Sequence, residues 1–533
     1  MSTFEFPRLR KGGGVFSLNR RRLLLSGTFA GALALLAGAV PAPLHAQDAP
    51  KKGGVLKIAA PFNPSTLDPL TGGTGSDHML LYPLFDTLVD FEPATLAPRP
   101  GLATSWEFTD PKTLVLTLRE GVRFHDGAPF DAAAVKAHLD RARTDPRSSV
   151  KGDIASLESV EVLAPNKVAL HLSRPDTALP LILADRAGMI ASPKAVAEKG
   201  RMHDREPVGT GPFKLEKWND NDSVTMVRNP DYWNKDLPHL DGLTFRIITD
   251  LNTALRSVIA GENQFTYRLN PQQKVVADRM GAGKVVATST PTIADYHLLF
   301  NYGKGPLNDV RMRQAINYAL DRDGFNRAAL MGLGVPAQTM LPPGYWAHDP
   351  ALDNFYTHDP DKARFLLKEA GHPDGIDIQF FGYADQASQQ RHEIIMEQLR
   401  QAGIRANMTV GSSADMYQRF MVRGEGDMLL ALWTGRPDPS QAFALVYGAN
   451  GFNNAGKVPP PPEMAQAQID AQSVEDPAQR KVAFAKLEKA ALEHALSGEL
   501  AFVPGIEVHA PNVRGYVPNL LGKPKFNTLY LAD

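Results

Sequence analysis

The chain contains no cysteine among its 533 residues, which removes thiol nucleophiles, disulfides, cysteine-held zinc and iron–sulfur clusters together. The same absence excludes a lipid-modified N-terminal cysteine, so an export signal here releases a soluble protein, not a lipoprotein. After residue 40 no apolar stretch approaches the roughly 20 residues of a membrane span, and no unit repeats at about 20–50 residues. A strong charge of one sign is missing as well, with 57 Lys and Arg against 58 Asp and Glu. Residues 1–46 hold six of those bases and one acid, leaving 51 against 57 in the remainder. Such a surface does not attract a nucleic-acid backbone.

What is present is ordinary globular composition, 43% hydrophobic and 22% charged, with 44 Gly and 42 Pro, in a length that suits two to four domains of about 150 residues. Arg20-Arg21-Arg22 precede a Gly/Ala/Leu-rich run from Leu23 to Val40, and Leu44-His45-Ala46 supplies a small residue for cleavage. This is the layout of an export signal, and Asn19 to Leu24 resembles the twin-arginine type. Residues 1–46 are therefore set apart from the fold, and the mature protein is expected in the periplasm.

The first half reads as hairpins. Leu114, Leu116 and Leu118 alternate, as do Val168, Leu170 and Leu172; Phe213, Leu215 and Val224, Met226 flank the turn Asn219–Asp222. Period two with polar turns predicts antiparallel sheet. From about Asp295 helices and strands alternate. Asp309 caps a helix with Met312, Ile316 and Leu320, and Asp359-Pro360 opens another closed by Gly371. A strand at 376–380, a helix at 386–402, and strands at 404–410 and 428–432 follow, an order that predicts α/β structure with parallel pairing. The change of architecture near 288–295 and a return near 500–511 suggest two lobes.

No local motif advocates catalysis. Gly281-Ala282-Gly283-Lys284 lacks a phosphate loop's hydroxyl after the lysine, where Val285 stands. His392-Glu393 has Met396 where a zinc protease needs its second histidine, so a solvated helical face is the expected reading. Gly209-Thr210-Gly211 and Gly72–Gly75 lack the third glycine of a dinucleotide loop, and there is no Gly-x-Ser-x-Gly elbow. Met408, Met416 and Met421 read as filler between helix and sheet.

Leu102-Ala103-Thr104-Ser105-Trp106-Glu107, followed by Leu116 to Gly127 (LTLREGVRFHDG), resembles the signature of the family 5 extracellular solute-binding proteins. Thr66-Leu67-Asp68-Pro69, Gly209 to Phe213, Asn229-Pro230-Asp231-Tyr232-Trp233 and Asp309 to Ala315 resemble that family's other landmarks, in order, so the likeness spans about 50–533. In physical terms the signature is a strand, two glycine turns and a helix capped by Asp131. The resemblance implies an α/β, two-lobed periplasmic-binding-protein fold of the large type II class with two hinge crossovers. The expected divisions are 47–290 for lobe 1 with an inserted subdomain, 291–500 for lobe 2 and 501–533 for the return. It implies a monomer with no cofactor and no catalysis. A small-molecule or peptide-like ligand is captured between the lobes and delivered to an inner-membrane ABC permease.

In peptide-binding relatives an acid three positions after a tryptophan pairs with the ligand ammonium. Here the stretch is Trp433-Thr434-Gly435-Arg436-Pro437-Asp438, and the third position is a cation. Arg436 suits a carboxylate or phosphate, so the expected ligand carries an acidic group; Asp438 takes the acidic role only if the loop shifts. The arginine that dipeptide receptors place in the loop at Phe380–Tyr383 is absent. Trp433, Tyr383 and Trp346, with Phe62 and Ser76 near the first landmark, complete the candidate contacts. The rival readings are a metal-chelate or haem receptor of the same fold, a periplasmic hydrolase, and a folding helper.

Overall fold

A computed structural model describes residues 50–72, 77–451 and 453–533. The export segment and Ser76 lie outside the described residues.

Two large sheets organise the chain. The first has seven strands in the order Val286–Thr290, Gly505–His509, Phe265–Thr266, Val55–Ala60, Gly242–Ile247, Ser223–Arg228, Phe213–Asn219. The hairpin about Asn219–Asp222 is antiparallel as expected. The centre departs from that expectation, because Val55–Ala60 pairs in parallel with both of its neighbours. Leu56, Ile58, Ala59 and Ala60 are fully buried while Val55 and Lys57 are exposed, so the strand is covered on both faces only at its C-terminal end and alternates too briefly for a period-two pattern to reveal it. Strands Ala103–Asp110, Thr113–Leu118, Lys167–Leu172 and Leu157–Ala164 form a separate four-stranded sheet, antiparallel throughout. The Asp131 carboxylate accepts from the Ala134 N–H at 2.9 Å and starts the helix Ala132–Thr144 beside it.

The second large sheet runs Val335–Pro336, Ser497–Phe502, Asp295–Phe300, Met428–Trp433, Ile376–Tyr383, Ile404–Gly411. Parallel pairing is confined to Ile376–Tyr383 with its two neighbours, the strands linked through the helix Gln386–Gln401. The remaining pairs are antiparallel. Asp309, Asp359 and Asp385 each accept a backbone N–H at the start of their helices, as capping chemistry requires.

The chain passes between these sheets twice, once from Thr290 to Asp295 and once from Phe502 to Gly505. The crossings are tied together: the Val503 N–H donates to the Ala294 carbonyl at 2.6 Å, and the Thr292 hydroxyl donates to the Val503 carbonyl at 2.6 Å.

His392 corrects one expectation. It is 2% exposed, not solvated, with its ring 5.4 Å from that of Phe380. A Cβ on Gly382 would lie 2.1 Å from the imidazole, so this strand position must be glycine for the helix to pack. Met416 and Met421 are buried and Met408 packs on the core, which is filler.

Candidate functional site

A cavity of about 210 Å³ opens where the two crossings meet. Thr292, Ala294 and Val503 to Gly505 from the crossings form part of its wall. Three cationic side chains reach it from separate segments. Arg268 follows the strand Phe265–Thr266, Arg391 lies in the helix Gln386–Gln401, and Lys523 belongs to the C-terminal segment. Two helices also begin at this wall, contributing Pro271 and Gln272 in one case and Ala387 and Gln390 in the other. Helix N-termini carry partial positive charge, so their dipoles reinforce the side chains.

Each cation is held in place. The Arg268 guanidinium lies 5.1 Å from the Phe62 ring centre, and its backbone is left-handed, φ 57°, a conformation disfavoured for a side chain of this size. Arg391 stacks 4.6 Å over the Tyr296 ring and donates to the Ser388 hydroxyl at 2.8 Å; its Nε has no hydrogen-bond partner. Lys523 is 4% exposed, with its Nζ 3.6 Å from Asp185 and 3.5 Å from the His78 Nε2. Burial pulls its pKa down to about 8, against the attraction of Asp185 and with the repulsion of Arg436, Arg186 and Arg268.

Glu507 is the one carboxylate among the lining residues. The Thr288 hydroxyl donates to it at 3.0 Å, and burial raises its pKa to about 7. The potential in the cavity is therefore positive, and it suits an acidic group on a small molecule.

The sequence-derived candidates divide. Thr434 and Leu432 line the cavity. Trp433, between them, points the other way and is buried in the core at 9% exposure, as strand alternation dictates. Arg436 is half-buried, 5.7 Å from the Trp433 ring centre. It adds positive potential at Asp185 and Lys523. Asp438 is fully buried; it caps the helix Pro439–Tyr447, accepting from the Ser440 N–H and hydroxyl at 3.0 and 2.6 Å. It also pairs with Arg480 at 3.0 Å. That corrects its candidacy for an ammonium, because its oxygens are already engaged. Trp346 packs against Phe484 and Arg480, supporting that pair from a distance. Phe62 stands behind Arg268. Tyr383, at a strand end, is half-buried and is not part of the cavity wall.

Arg268, Arg391 and Lys523 were missed. Arg391 has a signal in retrospect: the stretch 380–383 lacks an arginine, and the chain carries one on the helix that follows. Lys523 and Arg268 come from segments with no motif.

A mixed α/β body whose two sheets are joined by paired crossings, with a polar cavity at the junction, defines the class of two-lobed solute-binding proteins. Comparisons with known proteins agree. The profile of bacterial extracellular solute-binding proteins, family 5 Middle, matches residues 97–454. The glutathione-binding protein GsiB of Salmonella paratyphi A is 33% identical over 356 residues, 66% of this chain and 68% of that protein; GsiB of Escherichia coli K12 is 32% identical over the same span. In structure the chain resembles DppA of Helicobacter pylori in complex with the peptide STSA, with TM-score 0.78 and 24% identity, covering 91% and 99% of the two chains. AgaA of A. tumefaciens in complex with agropinic acid gives TM-score 0.77 and 24% identity, covering 90% and 99%. The chain belongs to the family 5 bacterial extracellular solute-binding proteins and is a solute-binding protein of the ABC-importer type. Among the described residues no helix is long and apolar enough to cross a membrane.

Proposed function

We propose that this protein captures a small acidic solute, of the size and charge of a di- or tripeptide such as glutathione, and presents it to an ABC permease without transforming it. The observation that carries the reading is the convergence of Arg268, Arg391 and Lys523 on one cavity beside the crossings. Residues 47–290 with 501–533 form one lobe and 291–500 the other. A ligand touching both stabilises the closed arrangement by its differential affinity for it. Residues 1–46 direct a monomer to the periplasm. The 33% identity to a glutathione-binding protein supports a peptide-like acid, and the likeness to a receptor in complex with agropinic acid makes an opine-like acid the second candidate in the same chemical class.

Arg436 acts as an outer contributor to the field that draws the acid in. The test is isothermal titration of the mature protein with glutathione, with its fully amidated analogue and with an uncharged dipeptide. Saturable binding of the acid alone supports the reading. Equal binding of the amidated analogue, or conversion of the added compound to product, overturns it.

A further inference from the structure

A second cluster lies on the core side of the same junction. Asp295 and His297 sit two apart on one face of the strand Asp295–Phe300, and Glu499 is the cross-strand partner of His297 on Ser497–Phe502. All three are at most 3% exposed. The His297 Nδ1 is 2.8 Å from the Asp295 Oδ2 and 3.7 Å from the Glu499 Oε2, and one ligand-capable atom from each lies within 4.8 Å of the others.

The hydrogen bonding inside this cluster is incomplete. His297 Nε2 has no hydrogen-bond partner, and Glu499 Oε2, aimed at the imidazole, and Asp295 Oδ1 have none unless the two carboxyl groups share a proton. The nearby cation Arg322 donates from its Nε and Nη atoms to the carbonyls of Ala337, Glu499 and Asn317 and to the Asn317 side chain. It donates to none of the three side chains. Two buried carboxylates beside a neutral imidazole require either protons or a cation among them, since an uncompensated buried charge is costly.

We propose that Asp295, His297 and Glu499 bind a divalent transition-metal ion, zinc by donor preference, that pins the two strands leading into the crossings. One imidazole nitrogen and two carboxylate oxygens are zinc donors, and the absence of sulfur disfavours copper(I). Metal–ligand bonds of about 2.0–2.2 Å in a tetrahedral site place donor atoms roughly 3.3–3.6 Å apart, a range that the 2.8 and 3.7 Å separations bracket. The Ser497 hydroxyl donates to Glu499 Oε1 at 2.6 Å and fixes that carboxylate from outside. Three protein donors leave the fourth tetrahedral position to a water. Tyr296, between the two ligands on the strand, faces the opposite way into the ligand cavity, so this site is separate from solute capture.

The experiment is metal analysis by mass spectrometry of untagged protein, followed by chelator treatment and titration with Zn²⁺ alone. The readouts are stoichiometry, melting temperature and, after Co²⁺ substitution, the visible spectrum of a tetrahedral nitrogen–oxygen site. One ion per chain, a melting temperature that climbs with Zn²⁺, and loss of both in His297→Gln and Glu499→Gln support the site. Protein that takes up no Zn²⁺ and does not change its melting temperature overturns it. So does Zn²⁺ uptake that His297→Gln leaves unchanged, since that ion sits elsewhere. The wild-type titration decides the matter even if a variant fails to fold.

Discussion

Lys523, on the cavity wall, and Asp185, distant in sequence and behind it, meet at 3.6 Å in a buried position. Asp185 also holds His78 at 2.5 Å; burial would raise its carboxyl, but its buried neighbours His78 and Lys523 hold it well below the usual range. One carboxylate thus keeps a buried ammonium in place and partly charged while leaving it a face toward the cavity. That is the preorganisation a binding site for an acid requires, because the cation is positioned before the ligand arrives.

Lys523→Met and Arg391→Ala should each weaken binding of an acidic solute at least tenfold, in line with about 1.5–3 kcal/mol for a hydrogen bond to a charged group. Arg436→Ala should have a smaller effect, severalfold, because its guanidinium stands against Trp433 and acts through its field. Isothermal titration measures all three, and unchanged affinity in Arg436→Ala removes that residue from recognition.

Affinity for the acid should fall as pH rises from 6 to 9. Above about 7 the Glu507 carboxyl ionises and above about 8 Lys523 loses its charge; both changes make the cavity more negative. A bound anion favours the protonated form of each group, so binding takes up protons in this range. Calorimetry in buffers of different ionisation enthalpy reads that uptake directly, and a flat profile from pH 6 to 9 would contradict it.

Asp438→Ala should destabilise the protein by about 3–5 kcal/mol, the usual effect of stripping one partner from a buried ion pair. It leaves Arg480 buried without its carboxylate and removes the cap of the helix Pro439–Tyr447. Urea unfolding gives the loss. Solute affinity, measured well below the transition, should stay within about twofold, because Asp438 is not on the cavity wall.

Asp68→Asn should cost stability at neutral pH and progressively less in acid. Burial would raise the Asp68 pKa, but His203 and Arg141, at 2.9 and 2.5 Å, hold it far below the usual carboxylate value. A depressed carboxyl pKa contributes stability that is fully present above the unfolded-state value and is lost as pH falls toward the folded-state one. Denaturant curves of the two proteins at pH 7 and pH 3 should therefore draw closer together.

What the sequence determined by itself was local or carried by family landmarks. The aspartate caps at 131, 309 and 359, the hairpin at 219–222 and the strand–helix–strand order after 376 each depend on neighbours a few residues apart, and all formed as read. The landmark order gave the family, and with it the solute-binding role. Tertiary structure decided what faces what. Strand alternation turned Trp433 into the core and left Thr434 on the cavity wall, and a cap and an ion pair took Asp438 out of consideration. Arg268, Arg391 and Lys523 have no spacing in common, and only the folding of the chain across two sheets brings their charges to one point, because a cleft is built from segments far apart in sequence while a motif records only neighbours.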